Sequence, residues 1–240
     1  MVVAVLELFR RSLVESAGEL AGAELLPARL AKACVAALRV DGAGLSAFTP
    51  DGFRMPLGVS DDAAGVAERL RFTVGEGPCL EAHRLRVPVV AAAGELAERW
   101  PVFHAQLVAH TPFRAVVAVP LRVPLAQFGT LDLMTRDPRG SDVLDLDEVD
   151  AVVAEIAHHL LGQSIFAGEQ DLPWTRAPAA ERRRWVFIAC GMLNSALEIN
   201  TDEALLLLQD YAFRTDRSID DIAYDIVHRR LPTDELREAP

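Results

Sequence analysis

Apolar residues recur at intervals of three and four positions in several stretches of the chain, which is the spacing that places them on one face of an α-helix. In the first two thirds, this pattern predicts helices at residues 1–14, 26–38, 60–70, 79–85, 100–110 and 145–163. Shorter apolar runs bounded by turn residues predict β-strands at 43–49, 53–59, 88–91, 113–123 and 128–135. Helices that alternate with strand pairs in this order predict an α+β domain with an antiparallel sheet flanked by helices.

The last sixty residues predict three short helices. Asn200 with Glu203 three positions later, and Ser218 with Asp221, are start signals for the second and third of these helices. The predicted apolar stripe of the first helix comprises Trp185, Ile188, Ala189, Met192, Leu193 and Ala196. Gly191 lies inside that helix, where glycine is unfavourable, and this predicts close packing against another backbone.

Two prolines mark the boundary between these regions. Pro173 and Pro178 lie in the segment 169–179, and proline interrupts the hydrogen bonds of a continuing helix. The sequence therefore predicts an N-terminal domain at 1–168, a linker at 169–179 and a small all-α domain at 180–240.

Charge and cysteine content limit the function classes. The net charge of −11 argues against a general coat protein for nucleic acid and against binding to anionic membranes. No apolar run reaches the roughly 18 residues that predict a membrane span, and the first residues lack the pattern of a signal peptide. Three scattered cysteines without a Cys/His cluster argue against a zinc site or a disulfide framework, so a cytoplasmic location is expected. The chain contains no recognised catalytic motif, and we expect no enzymatic activity.

One pattern of residues continues without a gap across all three C-terminal helices. Its positions are Arg183, Val186, Ala189, Gly191, Leu193, Ile199, Glu203, Ala204, Leu208, Ala212, Arg217, Ile219, Asp221, Ile222 and Ala223. On these residues the region 182–231 resembles an ANTAR domain, the three-helix RNA-binding module of bacterial transcription antiterminators. The resemblance implies RNA stem-loops as the partner and a homodimer as the assembly, with the predicted helices 1–14 and 145–163 as dimer contacts.

Arginines are the candidate RNA contacts, because much of the affinity for RNA comes from neutralising its phosphates. The candidates are Arg182, Arg183, Arg184, Arg214 and Arg217. Arginine at the start of a helix is disfavoured by the helix dipole, which favours a phosphate-facing role for the first three, although a solvated helix start is the alternative.

Two features depart from the ANTAR pattern. Cys190 and Gln209 stand where the family has basic residues. Residues 179–240 contain eight arginines, no lysine and twelve acidic residues, a net charge of −4. Both features favour an alternative in which the three helices serve dimerisation and have lost RNA binding.

A second group of motifs lies in the N-terminal domain. These are Gly75-Glu76-Gly77-Pro78-Cys79, Pro88-Val89, Trp100-Pro101, the run 115–123 and Gly129-Thr130-Leu131-Asp132-Leu133. Together they resemble a GAF domain, a sensory module, over residues 20–165. The resemblance implies a pocket on one face of the sheet, and the sequence does not identify a cofactor or other ligand for it.

Cys79 is the candidate ligand-sensing or redox-sensing residue. It follows Pro78 at the start of a predicted helix, where the helix N-terminus would stabilise a thiolate. Glu76 and Glu81 oppose that effect, and a small buried residue is the alternative. Gly75 and Gly77 fit either a phosphate-binding loop or a plain tight turn.

The sequence as a whole predicts a signal-responsive transcription antitermination regulator. Its GAF-like domain would respond to an unknown small-molecule or redox signal, and its ANTAR-like domain would bind stem-loops in a leader RNA. The alternative is a ligand-sensing or dimerisation protein without RNA binding.

Overall fold

The computed structural model describes residues 2–48, 54–121, 129–167 and 173–237. The helices are α1 (Val2–Glu15), α2 (Leu26–Leu38), α3 (Asp62–Val74), α4 (Pro78–Leu85), α5 (Ala93–Arg99), α6 (Pro101–His110), α7 (Leu146–Ala167), α8 (Pro178–Leu197), α9 (Thr201–Arg214) and α10 (Ile219–Val227). The strands are β1 (Gly42–Phe48), β2 (Arg54–Val59), β3 (Val89–Ala91), β4 (Ala115–Pro120) and β5 (Gly129–Thr135). The segments 50–52 and 124–127, which connect predicted strands, lie outside the described residues, as does the linker segment 169–172.

The five strands form one antiparallel sheet in the order β2-β1-β5-β4-β3. Leu45 of β1 lies opposite Leu131 of β5, and Val117 of β4 lies opposite Leu133. The predicted α+β domain with an antiparallel sheet flanked by helices is therefore confirmed. The sequence pattern did not predict α5, which follows directly after β3.

The two faces of the sheet pack against different helices. One face forms a core with α1, α2 and α7, in which Phe9, Leu30 and Ile156 are completely buried. The other face forms a core with α3, α4, α5 and α6 around Phe103. Because side chains alternate along a strand, Leu131 and Leu133 of β5 belong to the first core, and Thr130 and Asp132 point to the side of α3 and α4.

The three C-terminal helices surround a third core, whose buried members include Val186, Leu208 and Ile222. The capping box at Asn200 and Glu203 is confirmed, since each residue bonds the backbone of the other. The side chain of Ser218 likewise accepts a hydrogen bond from the backbone N–H of Asp221.

The apolar stripe predicted for α8 is correct only in part, since Ala189 and Leu193 are buried and Trp185 and Met192 pack half-buried against the same core. The buried stripe of the helix comprises Ala180, Arg183, Val186, Ala189, Cys190 and Leu193, whereas Ile188 is exposed and Trp185 is half-buried. The helix is therefore rotated relative to the predicted stripe, because the buried arginine shifts the face that packs inward. Gly191 is exposed, and a Cβ atom added there would meet no described atom within 4 Å, so close packing does not explain it.

Among the described residues, no helix combines the length and the apolar character needed to cross a membrane.

Candidate functional site at the domain interface

Six buried charged side chains meet where the N-terminal domain (residues 2–167) contacts the C-terminal domain (residues 178–237). This ion cluster comprises Arg54 of β2, Glu68 and Arg71 of α3, Asp132 of β5, Arg183 of α8 and Asp220 of α10. None of the six is more than 6% exposed. Charged residues are rarely buried to this degree unless they are paired, and here three arginines balance three carboxylates.

Arg183 lies at the centre of the contact between the domains. Its Nε donates to Asp220 Oδ1 at 2.8 Å, and its Nη2 donates to both carboxylate oxygens of Glu68 at 3.1 Å. Its Nη1 donates to the carbonyl oxygen of Arg54 at 3.1 Å. The guanidinium carbon lies 3.5 Å from the ring centre of Phe72, in a cation–π contact. The side chain therefore joins α8 and α10 of one domain to β2 and α3 of the other.

The other two arginines hold the N-terminal half of the cluster. Arg54 donates to Glu68 at 2.9 Å and to Asp132 Oδ2 at 3.1 Å, and Arg71 donates to the same oxygen of Asp132. Glu68 and Arg71 are three positions apart, so one face of α3 presents both. Burial by itself would raise the pKa of Glu68, but the guanidinium groups of Arg183, Arg54 and Arg71 outweigh it and the pKa is lowered. Glu68 is consequently an anion at neutral pH.

The prediction that Arg183 contacts RNA is wrong for this structure. The residue is 0% exposed, and its three nitrogen atoms donate to groups inside the protein. One signal in the sequence was available, because the apolar residues Val186 and Cys190 lie three and seven positions after Arg183. The i, i+3, i+7 spacing places all three on one helical face.

The remaining candidate arginines lie nearer the surface but are not gathered in one place. Arg182 and Arg184 are exposed on α8. Arg214 pairs with Asp210 at 2.9 Å, and Arg217 pairs with Asp225 at 2.5 Å.

Arg182 and Arg184 border a groove of about 630 Å³ between α8 and α10. The remaining residues that line it are Pro178, Glu181, Trp185, Ile188, Asp220, Asp221 and Tyr224. The rings of Trp185 and Tyr224 meet edge to face with centres 5.8 Å apart, and Tyr224 stacks on His228 at 3.9 Å. The guanidinium of Arg230 lies 5.3 Å from the centre of the Tyr224 ring. The sequence pattern placed Trp185 in an apolar stripe but did not pair it with Tyr224, because the two are far apart in the chain and only the packing of α8 on α10 joins them.

Cys79 is the second residue of α4 and is completely buried. It lies close to Arg54, Arg71 and Asp132 of the ion cluster. Its Sγ lies 3.4 Å from Thr130 Oγ1. Burial raises the pKa of the thiol, and the nearby Arg54 and Arg71 offset only part of that effect. Burial therefore disfavours the thiolate, and a sensing role for Cys79 stays a prediction.

The loop before α4 is a tight turn. Gly75 and Gly77 have φ values of 75° and 136°, which residues with a side chain rarely adopt. Between them, the carboxylate of Glu76 accepts a hydrogen bond from the backbone N–H of Phe103 at 2.9 Å and so ties the loop to α6. These contacts favour the plain turn over a phosphate-binding loop, because the carboxylate would repel an anion.

Further contacts between the domains surround Phe72 of α3, which packs into the core of the C-terminal domain. Gln209 of α9 donates to the carbonyl oxygen of Phe72 at 2.8 Å, and the backbone N–H of Ile219 donates to Thr73 Oγ1 at 3.4 Å. Gln209, which departs from the ANTAR pattern, is half-buried and contacts the N-terminal domain.

A cavity of about 220 Å³ remains between α3, α4 and α9, beside the ion cluster. It is lined by Arg54, Arg71, Phe72, Gly75, Leu80, Leu205 and Gln209, which come from both domains. Within the described ranges, no group of three or more His, Cys, Asp or Glu side chains is placed to hold a metal ion.

No protein family matches the sequence of this chain. No curated protein is significantly similar to it in sequence.

Several solved GAF domains have a similar arrangement over about two thirds of the chain. The GAF domain of a phosphoenolpyruvate-protein phosphotransferase from Coxiella burnetii is 16% identical, with a TM-score of 0.49, over 69% of this chain and 95% of that one. The corresponding GAF domain from Acinetobacter is 10% identical, with a TM-score of 0.45, over 68% and 96%. The phycoerythrobilin-bound GAF domain of a cyanobacterial phytochrome is 14% identical, with a TM-score of 0.41, over 66% and 96%. At these identities and scores no residue role or ligand transfers to this chain, and the ANTAR resemblance is neither supported nor excluded.

Proposed function

We propose that this chain is a signal-responsive RNA-binding regulator of transcription antitermination, which acts in the cytoplasm by binding and without catalysis. Its GAF-like N-terminal domain responds to a signal, and its ANTAR-like C-terminal domain binds stem-loops in a leader RNA. The observation that carries the proposal is the groove between α8 and α10, where exposed Arg182 and Arg184 flank the aromatic pair of Trp185 and Tyr224.

The groove combines the two kinds of group that bind single-stranded nucleotides in a hairpin loop. Arginine side chains neutralise phosphates, and aromatic rings stack on unpaired bases without requiring a particular sequence. Trp185 and Tyr224 are half-buried, so each ring is held in place while part of its surface faces solvent. His228 and Arg230 extend the same surface beyond Tyr224.

The ion cluster supports the signal-responsive part of the proposal. Asp220 belongs to the cluster and also borders the groove, and Arg183 lies between the two exposed arginines on α8. A change in the N-terminal domain that disturbs Glu68 or Arg54 would therefore alter the position of α8 relative to α10. Such a shift would change the width of the groove.

Fluorescence anisotropy with a pool of paired RNA hairpins tests the proposal. The Arg182→Ala/Arg184→Ala double variant is expected to bind at least tenfold more weakly, and the slope of log affinity against log salt to fall by about two. Trp185→Ala is expected to weaken binding by roughly tenfold through the loss of one stacked base.

Arg139→Ala is the matched control, since this arginine is 84% exposed on the N-terminal domain and far along the chain from the groove. It should leave the affinity unchanged. Equal binding by the wild type and the double variant would refute the groove as the RNA site, and absence of binding to every hairpin would refute the proposed function.

A second candidate function is a sensing or dimerisation protein without RNA binding. Glu181 and Asp221 on the rim of the groove favour it, because carboxylates there repel phosphates. A homodimer belongs to both proposals, with α1 and α7 as the contact surface. Val3 and Val14 of α1 are 72% and 75% exposed, and Leu146 of α7 is 45% exposed. Light scattering that shows a monomer at tens of micromolar would contradict the dimer.

A further inference from the structure

The cavity between α3, α4 and α9 offers an apolar space at the contact between the two domains. Phe72 and Leu80 of the N-terminal domain and Leu205 of the C-terminal domain form its apolar walls. Leu80 and Leu205 are half-buried, so packing within the chain leaves part of each side chain uncovered. The volume of about 220 Å³ leaves room for one small molecule, since a cavity of about 150 Å³ lined by Leu, Ile and Phe is large enough to bind benzene.

The charged side chains that border the cavity do not call for a charged occupant. Arg54 uses Nη1 and Nη2 to bond Glu68 and Asp132, and Arg71 uses Nη1 to bond Asp132. The other nitrogen atoms of both guanidinium groups are buried away from the cavity surface. Because the ion cluster already balances three arginines with three carboxylates, an ion in the cavity would lose its hydration without gaining a counter-charge. The site therefore favours a neutral occupant.

Gln209 places one hydrogen-bond acceptor at the cavity. Its Nε2 donates to the carbonyl oxygen of Phe72 at 2.8 Å, and this bond fixes which end of the amide is the donor. Its Oε1 accepts no hydrogen bond from any group in the described ranges. The side chain is half-buried and lies next to exposed Gly75, so the cavity is reached from solvent at this point. An amide oxygen can accept an O–H or N–H group of a ligand.

We propose that this cavity binds a small, neutral ring compound with one hydrogen-bond donor, such as a phenol. The ring packs against Leu80 and Leu205 and makes an aromatic contact with Phe72, and the donor bonds Oε1 of Gln209. Because Leu205 and Gln209 belong to the C-terminal domain, the ligand contacts both domains and stabilises their docked arrangement by mass action. Binding of the ligand needs no RNA, and only its role as the signal rests on the proposed function.

Isothermal titration calorimetry on the full chain, without RNA, tests the proposal with phenol, anisole and sodium benzoate. We expect phenol to bind with a Kd of about 1 mM or tighter. Anisole, which has a methyl group in place of the donated hydrogen, should bind about fivefold more weakly, and the benzoate anion roughly tenfold more weakly or worse. Phenol at about ten times its Kd should also raise Tm by a few degrees.

Two tryptophan substitutions locate the site. Leu205→Trp fills the cavity and should weaken phenol binding roughly tenfold or more, whereas Leu206→Trp, at a neighbouring position that is 64% exposed, should leave it unchanged. Leu205→Phe replaces the first variant if the larger ring prevents folding.

Three results would overturn the proposal. They are absence of phenol binding, equal binding of benzoate and phenol, and equal phenol binding by the Leu205 and Leu206 variants. Binding of anisole as tight as that of phenol would overturn the hydrogen bond assigned to Gln209. The comparison of the three compounds uses the wild-type chain and holds whether or not a variant folds. Since RNA is absent from the experiment, its failure is distinct from a failure of the proposed RNA binding.

Discussion

Three consecutive arginines at the start of α8 face two different environments. Arg183 is completely buried between the domains, whereas Arg182 and Arg184 on either side of it are exposed beside the groove. Successive residues of an α-helix point about 100° apart, so one short run of a single residue type supplies both the interface and the surface. The comparison shows that residue type alone does not separate arginines that hold a domain in place from arginines available to a ligand.

The two environments also differ in energy. An exposed ion pair contributes about 0–1 kcal/mol, because water solvates its charges nearly as well when they are apart. Folding removes the six charges of the ion cluster from water, which costs free energy. If one partner is then lost by mutation, its neighbour stays buried without a compensating charge. Because a displaced arrangement would leave charges unpaired, we infer that the cluster fixes one arrangement of the two domains.

The largest expected effect is that of Arg183→Met. This change removes the cation that neutralises Asp220 and bonds both oxygens of Glu68, and it should lower the free energy of unfolding by about 3–5 kcal/mol. Arg182→Met, the same substitution one position away, should change it by less than about 0.5 kcal/mol. Urea unfolding followed by circular dichroism measures both variants, and similar costs for the two would contradict the difference between buried and exposed arginines.

Protonation of Glu68 at acidic pH should destabilise the ion cluster. Its pKa in the folded protein lies below the ordinary value of 4.5, so its charge stabilises the fold fully above about pH 4.5. This stabilisation is lost as the pH falls from 4.5 through the lower folded pKa, because protonation then accompanies unfolding. Urea unfolding at a series of pH values, in the wild type and in Glu68→Gln, isolates this contribution.

The difference in stability between the wild type and Glu68→Gln should shrink across that acidic range, since the glutamine carries no proton to gain. Exposed Asp and Glu residues change the free energy of unfolding equally in both proteins, so their contributions cancel in the difference. A difference that is constant with pH would show that Glu68 is not held as an anion by the three arginines.

Much of the fold could be predicted from the sequence, since hydrophobic periodicity and turn residues are local signals. The pattern predicted a strand at 43–49, and β1 spans Gly42–Phe48. The capping pair Asn200 and Glu203 likewise predicted the start of α9 correctly. For α8 the pattern was correct only in part, because the buried face includes an arginine that any hydrophobicity count treats as an outward position.

The site was much less predictable, because its contacts join residues far apart in the chain. Arg183 and Glu68 are 115 positions apart, and Arg71 and Asp132 are 61 apart. Nothing local to any of these residues indicates its partner. The cavity beside them depends on how Leu205 and Gln209 approach α3, which follows from docking of the two domains.

Arg217→Ala is expected to have a small effect on stability, and it tests whether an exposed arginine contacts RNA. Arg217 pairs with Asp225, but its side chain is 40% exposed, so the loss should cost at most about 0.5–1 kcal/mol of unfolding free energy. If Arg217 contacts an RNA phosphate, as the sequence predicts, its removal should lower the slope of log affinity against log salt by about one while the fold is preserved. Arg217 and Arg182 would then act on RNA without a structural role, in contrast to Arg183. A salt slope equal to that of the wild type would instead assign Arg217 to its ion pair with Asp225, and would confine any RNA contact to the groove between α8 and α10.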